Sequence, residues 1–263
     1  MPRFAANLST MFTELPMLER FAAAARAGFK GVEMQFPYEH SARDLAAAVR
    51  EAGVEQVMFN MPPGSAAGDR GMAAVPGRAG EFEDSVDAAL TYAQALGCTR
   101  LHAMAGVPRH GTDSDECRRI YLRNLRVAAL TLARYDITLL IEPINTRDVP
   151  GYYLSRQKDA LDIIAAVGER NVAVQMDLYH CQIMEGDLAK RIERNLARIG
   201  HIQIAGVPER HEPDDGEVNF AYLFALLDRL GYEGWIGCEY SPRNGTTQGL
   251  AWARPYGIGV GFG

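Results

Sequence analysis

Hydrophobic and polar positions follow two alternating periods along the chain. Short apolar runs, typical of buried parallel strands, are separated by longer segments whose apolar residues recur at helical spacing. This alternation from end to end is typical of a parallel sheet whose strands are joined by crossover helices. The predicted strands cover 3–8, 31–36, 56–60, 99–104, 138–142, 172–177, 201–203 and 235–239, and the predicted helices cover 16–27, 41–52, 81–96, 114–135, 155–167, 187–199 and 220–230.

Polar and glycine residues mark where several of these elements end. Ser41 is predicted to cap the N-terminus of the second helix, and Gly28 and Gly53 are predicted to stop the first two helices in a left-handed conformation. The segment 61–80 is rich in proline and glycine and predicts a long irregular connection. A loop of this length in a compact barrel is often functional.

The length of the chain agrees with eight repeated units. Its 263 residues would supply about 33 residues to each strand–helix unit of an eight-fold barrel, which typically has about 250 residues in total. The predicted fold class is therefore α/β, a single (β/α)8 TIM barrel that covers 1–263. We expect the last residues, 257–263, to form a flexible tail.

Composition narrows the class of protein further. With 48% hydrophobic residues, 23% charged residues and a net charge of −6, the chain is predicted to be a soluble globular protein without a nucleic-acid surface. It contains no apolar run long enough for a membrane span and no secretion signal, so we expect a cytoplasmic protein with no membrane partner. The cysteines lack metal-site spacing and are predicted to be reduced, buried thiols: Cys98, Cys117, Cys181 and Cys238.

Four of the predicted strands end in a residue that can bind a metal through oxygen. Glu142, Asp177, Gln203 and Glu239 follow one another at steps of 35, 26 and 36 positions, close to one strand–helix unit. One such residue alone is often a helix cap or an ion-pair partner, but four at this spacing predict a common site. Their oxygen donors favour Mg²⁺ or Mn²⁺, with Zn²⁺ or Co²⁺ as alternatives. One such divalent cation would polarise a substrate carbonyl and stabilise an enediolate.

The sequence around these residues resembles a known family. The blocks IEPIN around Glu142, MDLYH at 176–180, HIQIAGVPERHEPDDGEVN at 201–219 and GWIGCEYSPR at 234–243 are similar to the hydroxypyruvate isomerase family of xylose isomerase-like barrels. The resemblance extends nearly from end to end, and its wording is most similar to the bacterial 2-oxo-tetronate isomerase branch. Ketose 3-epimerases of the wider superfamily usually have His where this chain has Gln203, which counts against an epimerase.

The resemblance implies a reaction and roles for the four residues. Glu142 and Glu239 would be the paired catalytic acid and base as well as metal ligands, and Asp177 and Gln203 would complete the metal shell. The substrate would be a small hydroxylated 2-oxo acid, converted from 2-oxo-tetronate to 3-oxo-tetronate or from hydroxypyruvate to tartronate semialdehyde. Two carboxylates suffice to move a proton between adjacent carbons, and either could act first. The resemblance also implies a homo-oligomer.

Four further residues are candidates for substrate binding. The resemblance places a functional histidine at His180, whose alternative is a structural loop histidine. Arg210 and His211 are candidates to hold a substrate carboxylate, and their alternative is a surface charge cluster. Arg70, in the long loop, is either a ligand for an anionic substrate or an ordinary exposed arginine.

Other readings remain open from the sequence. Glu33 and His102 are predicted at the same barrel face, and His201 in a deeper layer, with supporting or purely structural roles. A ketose 3-epimerase would use the same carboxylates, and a non-catalytic relative would bind a small molecule without chemistry. Metal-dependent phosphodiester hydrolysis needs more metal ligands than this pattern provides.

Overall fold

Eight parallel strands close into a barrel in chain order, and helices connect them on the outside. The structure is a computed structural model that describes residues 1–260. The predicted (β/α)8 architecture is confirmed. The strands are β1 Arg3–Asn7, β2 Gly31–Met34, β3 Glu55–Asn60, β4 Arg100–His102, β5 Thr138–Ile141, β6 Val172–Asp177, β7 Ile199–Ile204 and β8 Trp235–Cys238.

The helices lie close to the predicted segments. They are α1 Met17–Arg26, α2 Ala42–Ala52, α3 Ala79–Leu96, α4 Ser114–Ala133, α5 Gln157–Val167, α6 Leu178–Met184, α7 Leu188–Asn195, α8 Phe220–Arg229 and α9 Thr246–Gly249. Ser41 caps α2 as predicted, since its hydroxyl accepts a hydrogen bond from the Asp44 amide at 3.1 Å. Gly53 ends α2 with φ of 65°, the left-handed conformation predicted for it.

Four elements differ from the sequence prediction, and one of them is the four-residue helix α9, which was not predicted. Helix α6 was not predicted, because it has only seven residues and begins directly after β6, where Asp177 serves as its N-cap. The helix predicted over 187–199 ends at Asn195, and a 3₁₀ turn at Leu196–Arg198 follows it. Strand β7 therefore begins earlier than predicted, at Ile199.

The interior of the barrel is apolar at its N-terminal end. Ala5, Val57, Leu140 and Trp235 form a buried cluster inside the strands, separate from the larger core between strands and helices. Gly31 makes room for the indole of Trp235, since a β-carbon at that position would overlap the ring. The lumen is therefore filled at the bottom, and the polar residues lie above this layer.

Three further predictions concern the C-terminal tail, the cysteines and membrane-spanning helices. Ile258 is buried, and the Gly259 amide donates to the Ala27 carbonyl at 2.8 Å, whereas 261–263 of the predicted flexible tail lie outside the described residues. The cysteines are free and buried, as predicted. Among residues 1–260, no helix is long and apolar enough to cross a membrane.

Candidate active site

The four predicted strand-end residues gather at the C-terminal end of the barrel. Asp177 is the last residue of β6, Gln203 lies in β7, and Glu142 and Glu239 come directly after β5 and β8. All four are buried, with exposed fractions between 0% and 7%. The parallel strands bring them to one end because each crossover returns the chain in the same direction.

A small cavity at this end collects most of the candidate residues. It has a volume of about 80 Å³. Its lining includes Glu142, Glu239, His180, Arg210 and Arg70. The rest of the lining is Gln35, Phe36, Asn60, Met104, Ile144, Val149, Tyr152 and Gln175. A larger groove of about 340 Å³ lies between α8 and the 3₁₀ turn at 250–256, but aromatic side chains form much of its wall. The cavity, with its titratable groups, is the candidate active site.

Glu239 is held in place by three donors. Its Oε1 accepts hydrogen bonds from the side-chain amides of Asn7 and Gln35, both at 3.0 Å, and its Oε2 accepts one from Arg210 at 2.7 Å. Burial raises the pKa of Glu239 from 4.5 to about 7; Asp177 adds to the rise, and Arg210 opposes it. The side chain is thus oriented for chemistry and can change protonation near neutral pH.

Arg210 links two of the carboxylates. Its Nη2 lies 2.7 Å from Glu239 Oε2 and 3.3 Å from Asp177 Oδ2. Its guanidinium also lies 4.9 Å from the centre of the Tyr179 ring. The positive charge of Arg210 is therefore largely committed to protein carboxylates, which reduces what it can offer to a substrate carboxylate.

Glu142 faces the cavity with one oxygen unpaired. Among the described residues, Glu142 Oε1 has no hydrogen-bond partner, although it is buried. Burial, Glu239 and Asp177, in that order, raise the pKa of Glu142 well above its ordinary value. An unpaired buried oxygen beside other carboxylates is the arrangement expected where a cation or a substrate completes the site.

A buried group of three residues could hold a metal ion. One potential ligand atom each from Glu142, Asp177 and His180 lies within 4.8 Å of the others. His180 Nε2 is 3.5 Å from Asp177 Oδ2 and 3.9 Å from Glu142 Oε1. Burial, followed by Arg210, lowers the pKa of His180 well below 6.5, so its imidazole is neutral.

Gln203 is paired in register with Asp177 across β6 and β7, and neither residue is part of the cavity lining. Gln203 Nε2 donates to Glu33 Oε1 at 2.7 Å, and Gln203 Oε1 accepts from Gln175 Nε2 at 2.6 Å. Glu33 is fully buried and also contacts His201 Nε2 at 2.6 Å and accepts from Asn7 Nδ2 at 3.0 Å. This network fixes the orientation of the Gln203 amide.

The long loop brings Arg70 to the mouth of the cavity. The adjacent Asp69 receives two hydrogen bonds from Arg78, at 2.9 and 2.7 Å, and Arg78 also bonds both oxygens of Glu81. Arg78 therefore fastens the loop to the start of α3. Within residues 1–260, no side chain pairs with the exposed guanidinium of Arg70.

His211 does not reach the cavity. The loop after β7 forms a tight turn in which the Gly206 amide donates to the His211 carbonyl at 2.7 Å and the Arg210 amide donates to the Gly206 carbonyl at 2.8 Å. This turn directs Arg210 into the barrel and His211 away from it. His211 Nδ1 instead donates to the Ser241 carbonyl at 2.7 Å. The adjacent positions looked equivalent in the sequence, but the turn separates them.

Sequence reasoning missed several polar residues of the site. Asn7 ends β1, and Gln35 follows β2; both donate to Glu239. Asn145, inside the IEPIN block, contacts His180 at 2.6 Å. These residues lie where strands end, but neutral amides are common in loops, and only the closed barrel shows which ones face the lumen.

Comparisons with known proteins agree with this geometry. Residues 21–256 match the xylose isomerase-like TIM barrel family. The chain is 56% identical to a 2-oxo-tetronate isomerase from Cupriavidus necator, over 97% of this chain and 99% of that protein. It is 44% identical to a hydroxypyruvate isomerase from Escherichia coli, over 97% of this chain and 100% of that protein.

A solved structure shares the same fold. A protein from Brucella melitensis, described as an AP endonuclease of family 2, is 55% identical and superposes with a TM-score of 0.95 over 97% of this chain and 99% of that chain. The resemblance to the hydroxypyruvate isomerase family is confirmed by curated relatives at 42–56% identity. The chain therefore belongs to the xylose isomerase-like TIM barrel family and is an isomerase within it.

Proposed function

We propose that the protein moves the carbonyl of a small hydroxylated 2-oxo acid to the adjacent carbon through an enediolate. The candidate reactions are 2-oxo-tetronate to 3-oxo-tetronate and hydroxypyruvate to tartronate semialdehyde, which are the same step on chains of different length. The names of the relatives from Cupriavidus necator and Escherichia coli support this substrate class. The observation that carries the proposal is the pair of buried glutamates, Glu142 and Glu239, that line one cavity.

The two glutamates perform the proton transfer. One carboxylate removes the proton from the hydroxyl-bearing carbon, and a carboxyl group returns a proton to the neighbouring carbon that was the carbonyl carbon. The hydroxyl proton passes to the former carbonyl oxygen, so that the old hydroxyl becomes the new carbonyl and the bonds balance. Three donors hold the Glu239 carboxylate still, whereas Glu142 has an oxygen free to meet the substrate. Reversal of the reaction exchanges the roles of Glu142 and Glu239, because the group that ends protonated is the acid for the return step.

The donor set fits a divalent metal ion. Glu142, Asp177, Glu239 and Gln203 would hold it, with Mg²⁺ or Mn²⁺ favoured by the oxygen ligands. The unpaired Glu142 Oε1 and the raised pKa values of the three carboxylates, which burial and neighbouring carboxylates cause, support a role for them in binding a cation. When bound, such an ion polarises the substrate carbonyl and stabilises the negative charge of the enediolate.

Arg70 is the proposed anchor for the substrate carboxylate. It lines the cavity at its exposed mouth and lacks a partner among residues 1–260, whereas Arg210 is committed to Glu239 and Asp177. A guanidinium can bind a carboxylate through two parallel hydrogen bonds. This contact would favour 2-oxo acids over neutral ketoses. The net charge of −6 gives no support to nucleic acid as an alternative substrate.

Proton exchange in D2O tests the proposal. The metal-loaded protein is incubated with hydroxypyruvate, with 2-oxo-tetronate and with a neutral ketose, and proton NMR follows deuterium uptake and carbonyl migration. We expect migration on an acid, reduced about 100-fold or more in Glu142→Gln. Glu51→Gln, an exposed substitution in α2, is the matched control and should retain activity. Exchange limited to the ketose would indicate an epimerase, and no exchange on any substrate would contradict the proposal.

A further inference from the structure

Two buried side chains at the cavity wall, Asn145 and His180, form a short contact. Asn145 follows β5 and His180 lies in the first turn of α6, and their exposed fractions are 0% and 3%. Asn145 Nδ2 lies 2.6 Å from His180 Nδ1. The other ring nitrogen, Nε2, faces Asp177 Oδ2 at 3.5 Å and Glu142 Oε1 at 3.9 Å.

Asp148 fixes which way the Asn145 amide points. The Asp148 backbone amide donates to Asn145 Oδ1 at 2.8 Å, and Asn145 Nδ2 donates to Asp148 Oδ2 at 3.0 Å. A backbone N–H can only donate, so the atom that faces it must be the amide oxygen. The same Asp148 oxygen accepts the Tyr179 hydroxyl at 2.9 Å, which holds the carboxylate in place. The amide nitrogen therefore faces His180.

This orientation decides where the imidazole carries its proton. A neutral imidazole has one N–H and one lone pair. Because Asn145 donates to Nδ1, the lone pair is on Nδ1 and the proton is on Nε2. A histidine that ligates a metal needs the opposite arrangement, with the lone pair toward the ion and the other N–H bonded to an acceptor. Asn145 offers His180 a donor instead.

We infer that Asn145 is a positioning residue that keeps the proton of His180 on Nε2, so that His180 donates a hydrogen bond to a substrate oxygen and stays outside the metal shell. Of the buried group of three that could hold a metal, only the carboxylates of Glu142 and Asp177 then serve as ligands. The substrate part of this inference rests on the proposed function. The tautomer itself does not depend on it.

Imidazole ¹⁵N NMR tests the tautomer directly. In the metal-free, ligand-free protein, the His180 signals are assigned by their loss in His180→Gln. We expect Nε2 to show the chemical shift of a protonated ring nitrogen and Nδ1 that of an unprotonated one. A protonated Nδ1 in the wild-type protein would overturn the inference, whatever its activity. A failed isomerase assay would leave this result intact, so the two proposals can fail separately.

A charge-conserving exchange tests the role of Asn145. The double variant Asn145→Asp, Asp148→Asn keeps the net charge but places a carboxylate, an acceptor, against His180 Nδ1. We expect the proton to move to Nδ1, the affinity for Mn²⁺ measured by calorimetry to rise because Nε2 becomes a ligand, and turnover of the acid substrate to fall about 100-fold. Unchanged NMR signals or unchanged turnover in the folded double variant would overturn the inference that Asn145 positions the His180 proton.

A control separates positioning from general destabilisation. Asn171 donates from its side chain to the Ala129 and Ile137 carbonyls near the start of β6, at the opposite end of the barrel. Asn171→Ala should alter thermal stability without changing the His180 signals or Mn²⁺ affinity. If the double variant does not fold, the wild-type spectrum still decides the tautomer.

Discussion

Glu239 should contribute a loss of stability to the metal-free protein as the pH rises from 5 to 8, whereas buried His180, whose pKa is lowered, contributes a gain up to about pH 6.5. Burial raises the pKa of Glu239 from 4.5 to about 7, so between these values the folded protein binds a proton that the unfolded chain has released. Stability falls with pH wherever the native state binds more protons. The stabilisation of the native state by the proton on Glu239 is therefore complete below pH 4.5 and is lost as the pH rises through about 7.

The magnitude follows from the size of the shift. At roughly 1.4 kcal/mol for each pKa unit, the change from 4.5 to about 7 corresponds to about 3 kcal/mol of unfolding free energy. For a domain of this size, 1 kcal/mol shifts Tm by roughly 2–4 °C. We expect this contribution to lower the Tm of the wild-type protein relative to that of Glu239→Gln by roughly 6–12 °C across this pH range. Mn²⁺ at 100 times its Kd should restore about 3 kcal/mol at pH 8.

Differential scanning calorimetry in the presence of a chelator measures this effect. Glu239→Gln should flatten the dependence of Tm on pH, because the amide cannot ionise. Glu51→Gln, exposed in α2, should preserve it. The Tm of the wild-type protein relative to that of Glu239→Gln should fall from pH 5 to pH 8, and a difference that stays constant or rises would refute the claim that the buried Glu239 carboxylate opposes the metal-free fold.

Three other outcomes follow from the site and the barrel. Arg70→Gln should raise KM for an acid substrate about 10- to 100-fold, because the substrate carboxylate loses a charged hydrogen bond. The control Arg109→Gln, in the exposed loop after β4, should leave KM unchanged when both variants are compared by steady-state kinetics. Arg78→Gln should speed limited proteolysis within 61–80, and an unchanged cleavage rate would show that this arginine does not fasten the loop. Gly237→Ala should lower the free energy of unfolding, measured with urea, by about 2 kcal/mol or more, because the new methyl group would overlap the buried Glu33 carboxylate. Gly80→Ala places its methyl group in open space and should leave the free energy of unfolding unchanged or raise it.

The fold could be predicted because the barrel repeats one local pattern. Each apolar run that is bounded by polar or glycine residues became a strand, and the caps at Ser41 and Gly53 are local chemistry that a sequence displays directly. Helix α6 escaped prediction because its seven residues carry too little periodicity to distinguish a helix from a loop. The early start of β7 escaped because Ile199 and Gly200 continue an apolar helical pattern until the barrel pairs Ile199 with Val174.

The site could be predicted as a set of strand ends but not as a geometry. Spacing placed Glu142, Asp177 and Glu239 at one end of the barrel, where the structure has them. It could not separate Arg210 from His211, because a tight turn sends these neighbours in opposite directions. Nor could it show that Glu33 anchors Gln203, since that contact joins residues 170 positions apart. Such contacts depend on tertiary structure alone.

The apolar layer around Trp235 has a consequence for engineering. It closes the lumen at one end with Ala5, Val57 and Leu140, and the indole Nε1 is tied to Glu55 at 3.0 Å. Reactants and products must therefore use the same opening, on the side of the long loop. Directed evolution of substrate preference can replace the loops around that opening while leaving the sealed end, and the stability that it provides, untouched.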